Sequence, residues 1–236
     1  MKILAIDSSG LVASVAIVTE DTMLAEYTVN FKKTHSQTLL PMLQEIVKMI
    51  ELDMETVDGI AVSSGPGSFT GLRIGSATAK GLGLALNKPI ISVPTVDGLA
   101  YNLFGTDKLI CPMMDARRNQ VYTGLYCFKG NELHKILDQR AVLVDEIIEE
   151  INQRGQNVIY LGDGSKVYED IIRENTKVNF QFAPMHMNRQ RAGAIGALGI
   201  QYYNKNQMQT AAQHQPIYLR LSQAERELME KKKEHK

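Results

Sequence analysis

Lys2-Ile3-Leu4-Ala5-Ile6-Asp7-Ser8-Ser9-Gly10 decides the fold, because Lys108–Met114 closing on Asp115 opens the second half in the same way. An uninterrupted apolar run bounded by turn residues predicts a strand buried on both faces. Downstream of the first run, Val12–Val18 and Met23–Asn30 read as strands parted by Glu20-Asp21. Thr38–Glu51 reads as a helix, Val57–Val62 as a strand and Phe69–Leu86 as a second helix, followed by a short strand Pro89–Val93 and a short helix Val96–Phe104. Downstream of the second run, Gln120–Phe128 and Leu133–Leu143 flank the turn Lys129-Gly130-Asn131. Helix Val144–Arg154, strand Val158–Leu161 and helix Lys166–Glu174 follow, and Val178–Phe182 and Arg189–Asn204 close the chain's regular part. No residue-level repeat is visible. The repeat is topological: β-β-β-α-β-α twice, each unit opened by an apolar strand ending in aspartate.

The chain has 236 residues, enough for one large domain or two small ones. Its 26 basic and 26 acidic residues cancel, which argues against a dedicated nucleic-acid binder. Cys111 and Cys127 form no Cys-x-x-Cys, as expected of a reduced intracellular protein. The apolar start is too short for a signal peptide and no run is long enough to span a bilayer, so a cytoplasmic protein without a membrane partner is expected. The expected division is a first lobe over 1–104, a second over 105–221 and a charged tail over 222–236.

Two such units are the ground plan of an α/β fold, the actin-like ATPase and sugar-kinase (ASKHA) fold, with two ribonuclease-H-like lobes facing a cleft. In that fold the first aspartate and its turn meet the phosphates of a nucleotide, and a second aspartate turn closes on them. Asp7, Ser8 and Ser9 are the candidates on one side and Asp115 on the other; Gly162 and Gly164 sit where adenosine is often cradled. The turn Asp115-Ala116-Arg117-Arg118-Asn119 has no glycine to let backbone approach a phosphate. Vestigial nucleotide binding is therefore expected. Asp7 either holds a metal-bound phosphate, caps its own turn, or pairs with Lys2 or Lys80. Arg117 and Arg118 are either an exposed basic turn or a contact for an acidic surface or RNA backbone.

The stretch Ser64-Gly65-Pro66-Gly67-Ser68-Phe69-Thr70-Gly71-Leu72-Arg73 invites a phosphate-cradle reading, being a glycine-rich turn before a helix. It fails the P-loop template for want of a closing Gly-Lys and the dinucleotide template because Thr70 stands for the third glycine. Gly-x-Ser-x-Gly is not met either, so Ser68 reads as a helix cap worth about 1 kcal/mol rather than a nucleophile.

Ile3–Ser9, His35-Ser36-Gln37-Thr38-Leu39-Leu40-Pro41, Gly65–Gly75 and Pro216-Ile217-Tyr218-Leu219-Arg220, in this order along nearly the whole chain, resemble the TsaB family, also called YeaZ. The resemblance implies a non-catalytic paralogue of the transferase TsaD in bacterial tRNA threonylcarbamoyladenosine formation. It implies TsaD and the ATPase TsaE as partners, tRNA reached through the complex, and self-association when TsaD is absent. It implies no cofactor of the chain's own, with ATP or ADP at the complex interface. Older naming of such proteins as glycoproteases makes a peptidase one rival, and an independent ATP-dependent kinase or ATPase is the other. Catalytic relatives carry His-x-x-x-His, which sets two imidazoles on one helix face for a metal. The histidines here are His35, His134, His186, His214 and His235, with no such pair, so no local metal motif and no catalytic residue is assigned. His35 reads as a cap or a packed surface residue, with ligation as the alternative.

Both first-lobe helices look built for contact. Leu39, Leu40, Met42, Leu43, Ile46, Val47, Met49 and Ile50 cover about half the helix circumference, wider than a core stripe. Pro41 suits the first turn if Thr38 is the cap. Gly71, Gly75, Ala79 and Gly83 recur every fourth residue in the second helix, joined by Gly81. Its interior glycines cost roughly 3 kcal/mol against alanine, which close packing must offset. The ridge faces either the chain's own sheet or a second actin-like subunit. The expected partner surface is His35, Leu39, Leu40, Leu43, Val47, Ser68, Phe69, Gly71, Leu72, Gly75, Ala79 and Gly83.

Overall fold

The computed structural model describes residues 1–31 and 34–220, so the tail expected over 222–236 lies outside the described residues. The first unit runs β1 (Lys2–Asp7), β2 (Ala13–Thr19), β3 (Met23–Val29), α1 (His35–Met49), β4 (Gly59–Ser63), α2 (Phe69–Leu86), β5 (Ile90–Val93) and α3 (Thr95–Tyr101). The second runs β6 (Leu109–Asp115), β7 (Gln120–Lys129), β8 (Glu132–Leu143), α4 (Val144–Arg154), β9 (Val158–Leu161), α5 (Asp163–Val167), α6 (Glu169–Asn175), β10 (Phe180–Phe182) and α7 (Ala192–Asn204). The strands form two five-stranded sheets, ordered β3-β2-β1-β4-β5 and β10-β9-β6-β7-β8. The apolar runs hold matching places. β1 lies between antiparallel β2 and parallel β4, with Ala5 opposite Ala16 and Ala61. β6 lies between antiparallel β7 and parallel β9. This is the doubled ribonuclease-H-like arrangement of the actin-like fold.

Successive side chains of a strand point to opposite faces, so a central strand that is apolar throughout needs a cover on each side. On the first sheet, Leu4, Ile6, Val15 and Ile17 pack under α1 and α2, against Leu39, Met42, Leu43, Ile46 and Ala79. Ile3, Ala5, Ala16 and Val18 face the other way and are covered by Ala192, Ile195 and Leu198 of α7. On the second sheet, Cys111, Met113 and Tyr160 pack under Ile147, Ile151 and Ile172 of α4 and α6. Its opposite face, with Ile110, Met114 and Tyr126, is covered by Val96, Leu99 and Ala100 of α3. Each unit thus lends its closing helix to the other unit's sheet. The strands of the two sheets fall within 1–104 and 105–221, while α7 and α3 cover the sheet on the other side of that boundary. Either segment alone leaves one apolar sheet face bare.

The exchanged helices meet at a tight seam, where a Cβ on Gly98 of α3 would lie 2.4 Å from Ile195 Cδ1 of α7. The buried Asp97 carboxylate at this seam accepts from Tyr126 OH at 2.8 Å and Tyr202 OH at 3.0 Å and pairs with Lys135 Nζ at 2.7 Å. A buried charge costs several kcal/mol unless so satisfied. The start of α7 is held from the first sheet. Glu26 accepts from Gly193 N at 2.9 Å and Arg191 Nε at 3.0 Å, and Ser14 Oγ accepts from Ala192 N at 2.9 Å.

Local departures have local causes. α1 begins at His35 because Thr34, not Thr38, is its extended N-cap residue, so Pro41 falls inside the helix, on its exposed side. The helix expected over Lys166–Glu174 is two short helices, broken at Tyr168, where φ is −108°. Glu149 and Glu150 lie on the outer side of α4, paired with Gln153 and Arg154 one turn on.

α2 has the predicted bounds. Ser68 Oγ accepts from Gly71 N at 3.3 Å, and Asn87 ends the helix in the left-handed conformation at φ 53°. The glycine ridge faces inward. A Cβ on Gly71 would lie 2.1 Å from Ser8 O, one on Gly75 2.3 Å from Ser8 Oγ, and one on Gly83 2.8 Å from Ile90 Cδ1. Ala79 is buried, as are Leu39, Leu43 and Leu72. These residues of the expected partner surface therefore belong to the chain's own core. Small residues let α2 lie directly on the turn that ends β1. Gly81 alone of the interior glycines points outward, with nothing within 4 Å of its Cβ position. Gly75→Leu is expected to destabilise the isolated chain by about 3 kcal/mol through overpacking, whereas Gly81→Ala should stabilise it by about 1 kcal/mol. Denaturant unfolding of both variants reads the difference.

After α7 the chain returns to the first sheet, where Gln209 pairs with Ile90. There His214 Nδ1 lies 2.8 Å from Ser92 Oγ and accepts from Gln209 Nε2 at 3.0 Å. Burial, then the nearby Lys80 ammonium, lower its pKa from 6.5 to about 4. Folding therefore keeps His214 neutral while the unfolded chain takes up a proton below about 6.5. Its contribution is complete above that pH and is lost as pH falls towards 4, on the order of 2 kcal/mol in all. The stability gap between wild type and His214→Gln should narrow over that window in thermal melts, and a constant gap would contradict the reading.

Candidate functional site

A cleft of about 690 Å³ opens where the ends of β1 and β6 face each other. The first unit contributes Ser9, Gly10, His35 and the turn Pro66–Thr70; the second contributes Met114–Arg117, Tyr122 and Asp163. Ile217–Arg220 complete its wall.

The two strand-end aspartates are used alike, each through its Oδ1, although Asp7 is buried and Asp115 lines the cleft. Asp7 Oδ1 accepts from Ser9 N at 2.9 Å, Ser9 Oγ at 2.7 Å and Ser63 Oγ at 3.0 Å. A carboxylate bonded to the backbone two residues on is an Asx turn, which tightens the hairpin. Of the three readings of Asp7, the turn cap is the one seen. Lys2 Nζ bonds Thr56 Oγ1 at 2.7 Å and Lys80 Nζ bonds His214 O at 3.0 Å. Burial raises the Asp7 pKa, and the bonds from Ser9 and Ser63 and the nearby His35 oppose the rise. Ser8 Oγ donates to Gly71 O at 2.9 Å and is buried, leaving Ser9 as the member of this trio that lines the cleft.

Asp115 repeats the pattern. Its Oδ1 accepts from Arg117 N at 2.7 Å and from Tyr168 OH at 2.8 Å. Burial, then the hydrogen bond to Asp115, push the Tyr168 hydroxyl up to about 12. Arg117, Arg118 and Asn119 follow with φ of 63°, 57° and 57°, a left-handed run unusual for residues with a Cβ. Arg117 lines the cleft. Burial raises the pKa of Asp163 in the cleft wall; its own backbone N–H and the Arg189 guanidinium oppose this. Asp163 lines the cleft, and Gly162 and Gly164 on either side of it do not. A Cβ on Gly162, whose φ is 97°, would lie 2.1 Å from Met113 O, and one on Gly164 3.0 Å from the same atom. These glycines let the turn after β9 pack on the end of β6.

His35 Nε2 donates to Gly10 O at 2.8 Å, tying the start of α1 to the first turn. Ser68 caps α2 while its N–H donates to Ser9 O at 2.6 Å. Phe69 stacks on Tyr218, ring centroids 4.6 Å apart, and carries the Arg73 guanidinium 4.0 Å from its centroid. Of the expected partner surface, Ser68 and Leu40 are exposed, Leu40 by 54%, and Val47 is half-buried. Among the described residues, no three His, Cys, Asp or Glu side chains converge as a metal site would require. Cys111 is buried with its thiol pushed up to about 12 by desolvation, so it is unreactive. Among the described residues no helix is long and apolar enough to cross a membrane. The residue roles that the sequence left unassigned are those of Tyr218 and Arg220. Their signal was the run Pro216–Arg220, which follows the last helix and belongs to no regular element.

Asp7 Oδ1 is engaged by its own turn and by Ser63, Asp115 Oδ1 by backbone and tyrosine, and Gly162 and Gly164 by packing on the end of β6. Comparison with known proteins gives the family. The family model described as TsaD, tRNA N6-adenosine threonylcarbamoyltransferase, matches residues 22–228. The tRNA threonylcarbamoyladenosine biosynthesis protein TsaB of Bacillus subtilis is 34% identical, over 99% of this chain and 100% of that protein. The TsaB of Escherichia coli is 32% identical over 74% of this chain and 77% of its own length. A solved Pseudomonas aeruginosa protein, described as similar to peptidase YeaZ, shares the fold with a TM-score of 0.79 at 25% identity, covering 93% of this chain and 99% of that one. By full-length similarity and by fold, the chain belongs to the TsaB (YeaZ) family of tRNA threonylcarbamoyladenosine biosynthesis proteins.

Proposed function

We propose that the chain is a non-catalytic scaffold subunit that docks on TsaD and, with the ATPase TsaE, supports transfer of the threonylcarbamoyl group to the adenosine beside the anticodon in tRNAs reading codons that begin with adenine. tRNA is reached through the complex, and the chain pairs with itself when TsaD is absent. One observation carries the non-catalytic part: both strand-end carboxylates close their own turns, Asp7 on Ser9 and Asp115 on Arg117. In an actin-like enzyme those two groups face the phosphates. Nucleotide binding by this chain alone is accordingly weak, and ATP or ADP in the assembly belongs at the complex interface. The kinase and peptidase readings gain nothing from the cleft.

The docking surface is the outer side of α1 and α2, not their buried ridge. Leu40, Met49 and Leu84 are 54%, 75% and 70% exposed there, beside the outward Ala77 and Gly81. Leu40 and Met49, on the two flanks of the buried stripe, are the excess apolar width of α1 left over once Leu39, Met42, Leu43 and Ile46 have filled the core, and Leu84 lies on α2. Small residues on α2 would let a partner helix approach closely, and TsaD, an actin-like paralogue, offers matching helices. Leu40→Glu and Gly81→Trp should each weaken co-elution with TsaD at least tenfold while leaving the melting of the isolated chain within about 1 kcal/mol of wild type. Wild-type affinity in both would move the interface elsewhere. For the function itself, TsaD, TsaE, tRNA, ATP and threonylcarbamoyl-adenylate are combined with and without the chain. Modification is expected to collapse on omission; undiminished modification would sink the scaffold role. In a separate calorimetric titration of the isolated chain, ATP binding should stay weak.

A further inference from the structure

The described chain ends by crossing the mouth of the cleft. Ile217 N donates to Ser64 O at 2.6 Å, and Ile217 O lies so close to the glycine turn that a Cβ on Gly65 would be 2.2 Å from it. Tyr218 then stacks on Phe69 at 4.6 Å, on a ring already held by the Arg73 guanidinium. These contacts belong to the first lobe. Two residues later Arg220 Nη1 donates to Ala116 O at 2.7 Å, at the head of the left-handed run Arg117–Asn119 in the second lobe. The far side of the cleft is already bound together by the exchanged helices α3 and α7, which meet at Gly98 and Ile195. A hinge on one side and a bridge on the other are the parts of a two-position device.

The geometry points to Ile217–Arg220 as a latch that sets the opening of the cleft, with Tyr218 its anchor on the first lobe and Arg220 its catch on the second. The latch lies on the surface, with Ile217 and Tyr218 each 40% exposed, so it lifts without uncovering a sheet face. The catch is a single charged donor on a carbonyl, strong when made and quickly exchanged for water. Closed, it ties the cap of α2 to the turn after β6. Released, it frees both turns to part.

Spin labels on Asp21→Cys and Gln153→Cys, exposed sites on opposite lobes, report the opening by pulsed electron resonance. The background carries Cys127→Ser, because Cys127 is partly exposed whereas Cys111 is buried. Labelled chain is diluted with unlabelled chain to suppress distances between copies. One narrow distance distribution is expected for the parent and for Tyr218→Phe, and a broader, shifted one for Tyr218→Ala and Arg220→Ala. Hydrogen exchange at residues 116–120 should rise about tenfold in Arg220→Ala, the loss of one hydrogen bond, with β1 and β6 unchanged. Unchanged distances in both alanine variants overturn the latch. So does faster exchange spread through β1 and β6, which makes the strap a part of the core. If Arg220→Ala does not fold, Tyr218→Ala reads the latch from its other end. The measurement uses the chain alone and is independent of the scaffold reading.

Discussion

Two sheets, each with two apolar faces, need four covers, and each unit covers only one face of its own sheet. The exchange of α3 and α7 closes that gap, and the rest of the molecule depends on it. β1 and β6 can be apolar along their whole length only because a helix from the other unit lies on the second face. The exchange also explains why charge is buried at the seam. Asp97 is held there by two tyrosines and a lysine from β7, α7 and β8. A carboxylate so bound favours one seating of α3 against its neighbours, since any shift leaves a charge unsatisfied in a low dielectric. The cleft is what remains at the opposite side, where the ends of the two central strands meet.

At that cleft the chain keeps the outline of a nucleotide site and uses its parts differently. Aspartate after a central strand, a tight turn and glycines are all present. Each has been turned to internal structure. Ser9 and Ser63 donate to Asp7 Oδ1, Arg117 N and Tyr168 OH donate to Asp115 Oδ1, and Gly71 and Gly75 bring α2 down onto Ser8. Such packing gives α1 and α2 a close-packed backing on the first sheet. For the proposed docking role a rigid helical face is favourable, because fewer degrees of freedom are lost on association.

The order of elements was legible in the chain because hydrophobic periodicity is a local property. α2 and α4 begin and end at the residues that the pattern predicts, and the doubled β-β-β-α-β-α order led directly to the two sheets. The cap at Ser68 was legible for the same reason, since an N-cap bond spans only a few residues. The start of α1 was not: Thr34 rather than the expected Thr38 is its N-cap residue, and His35 bonding to Gly10 joins parts of the chain far apart in sequence.

What the sequence by itself determined was therefore the fold class, the family, and the presence of a ridge of small residues on α2. Composition and spacing suffice for these, as they rest on contacts within single elements or on motifs read in order. Only the tertiary structure decided which way that ridge faces, that the lobes share helices, and that Tyr218 and Arg220 span the cleft. A period of four tells which residues lie on one side of a helix but not what lies opposite. Both the sheet and a partner were consistent with it. The 2.3 Å between a Gly75 Cβ and Ser8 Oγ chooses the sheet, because two elements distant in the chain occupy the same space only if one of them has no side chain.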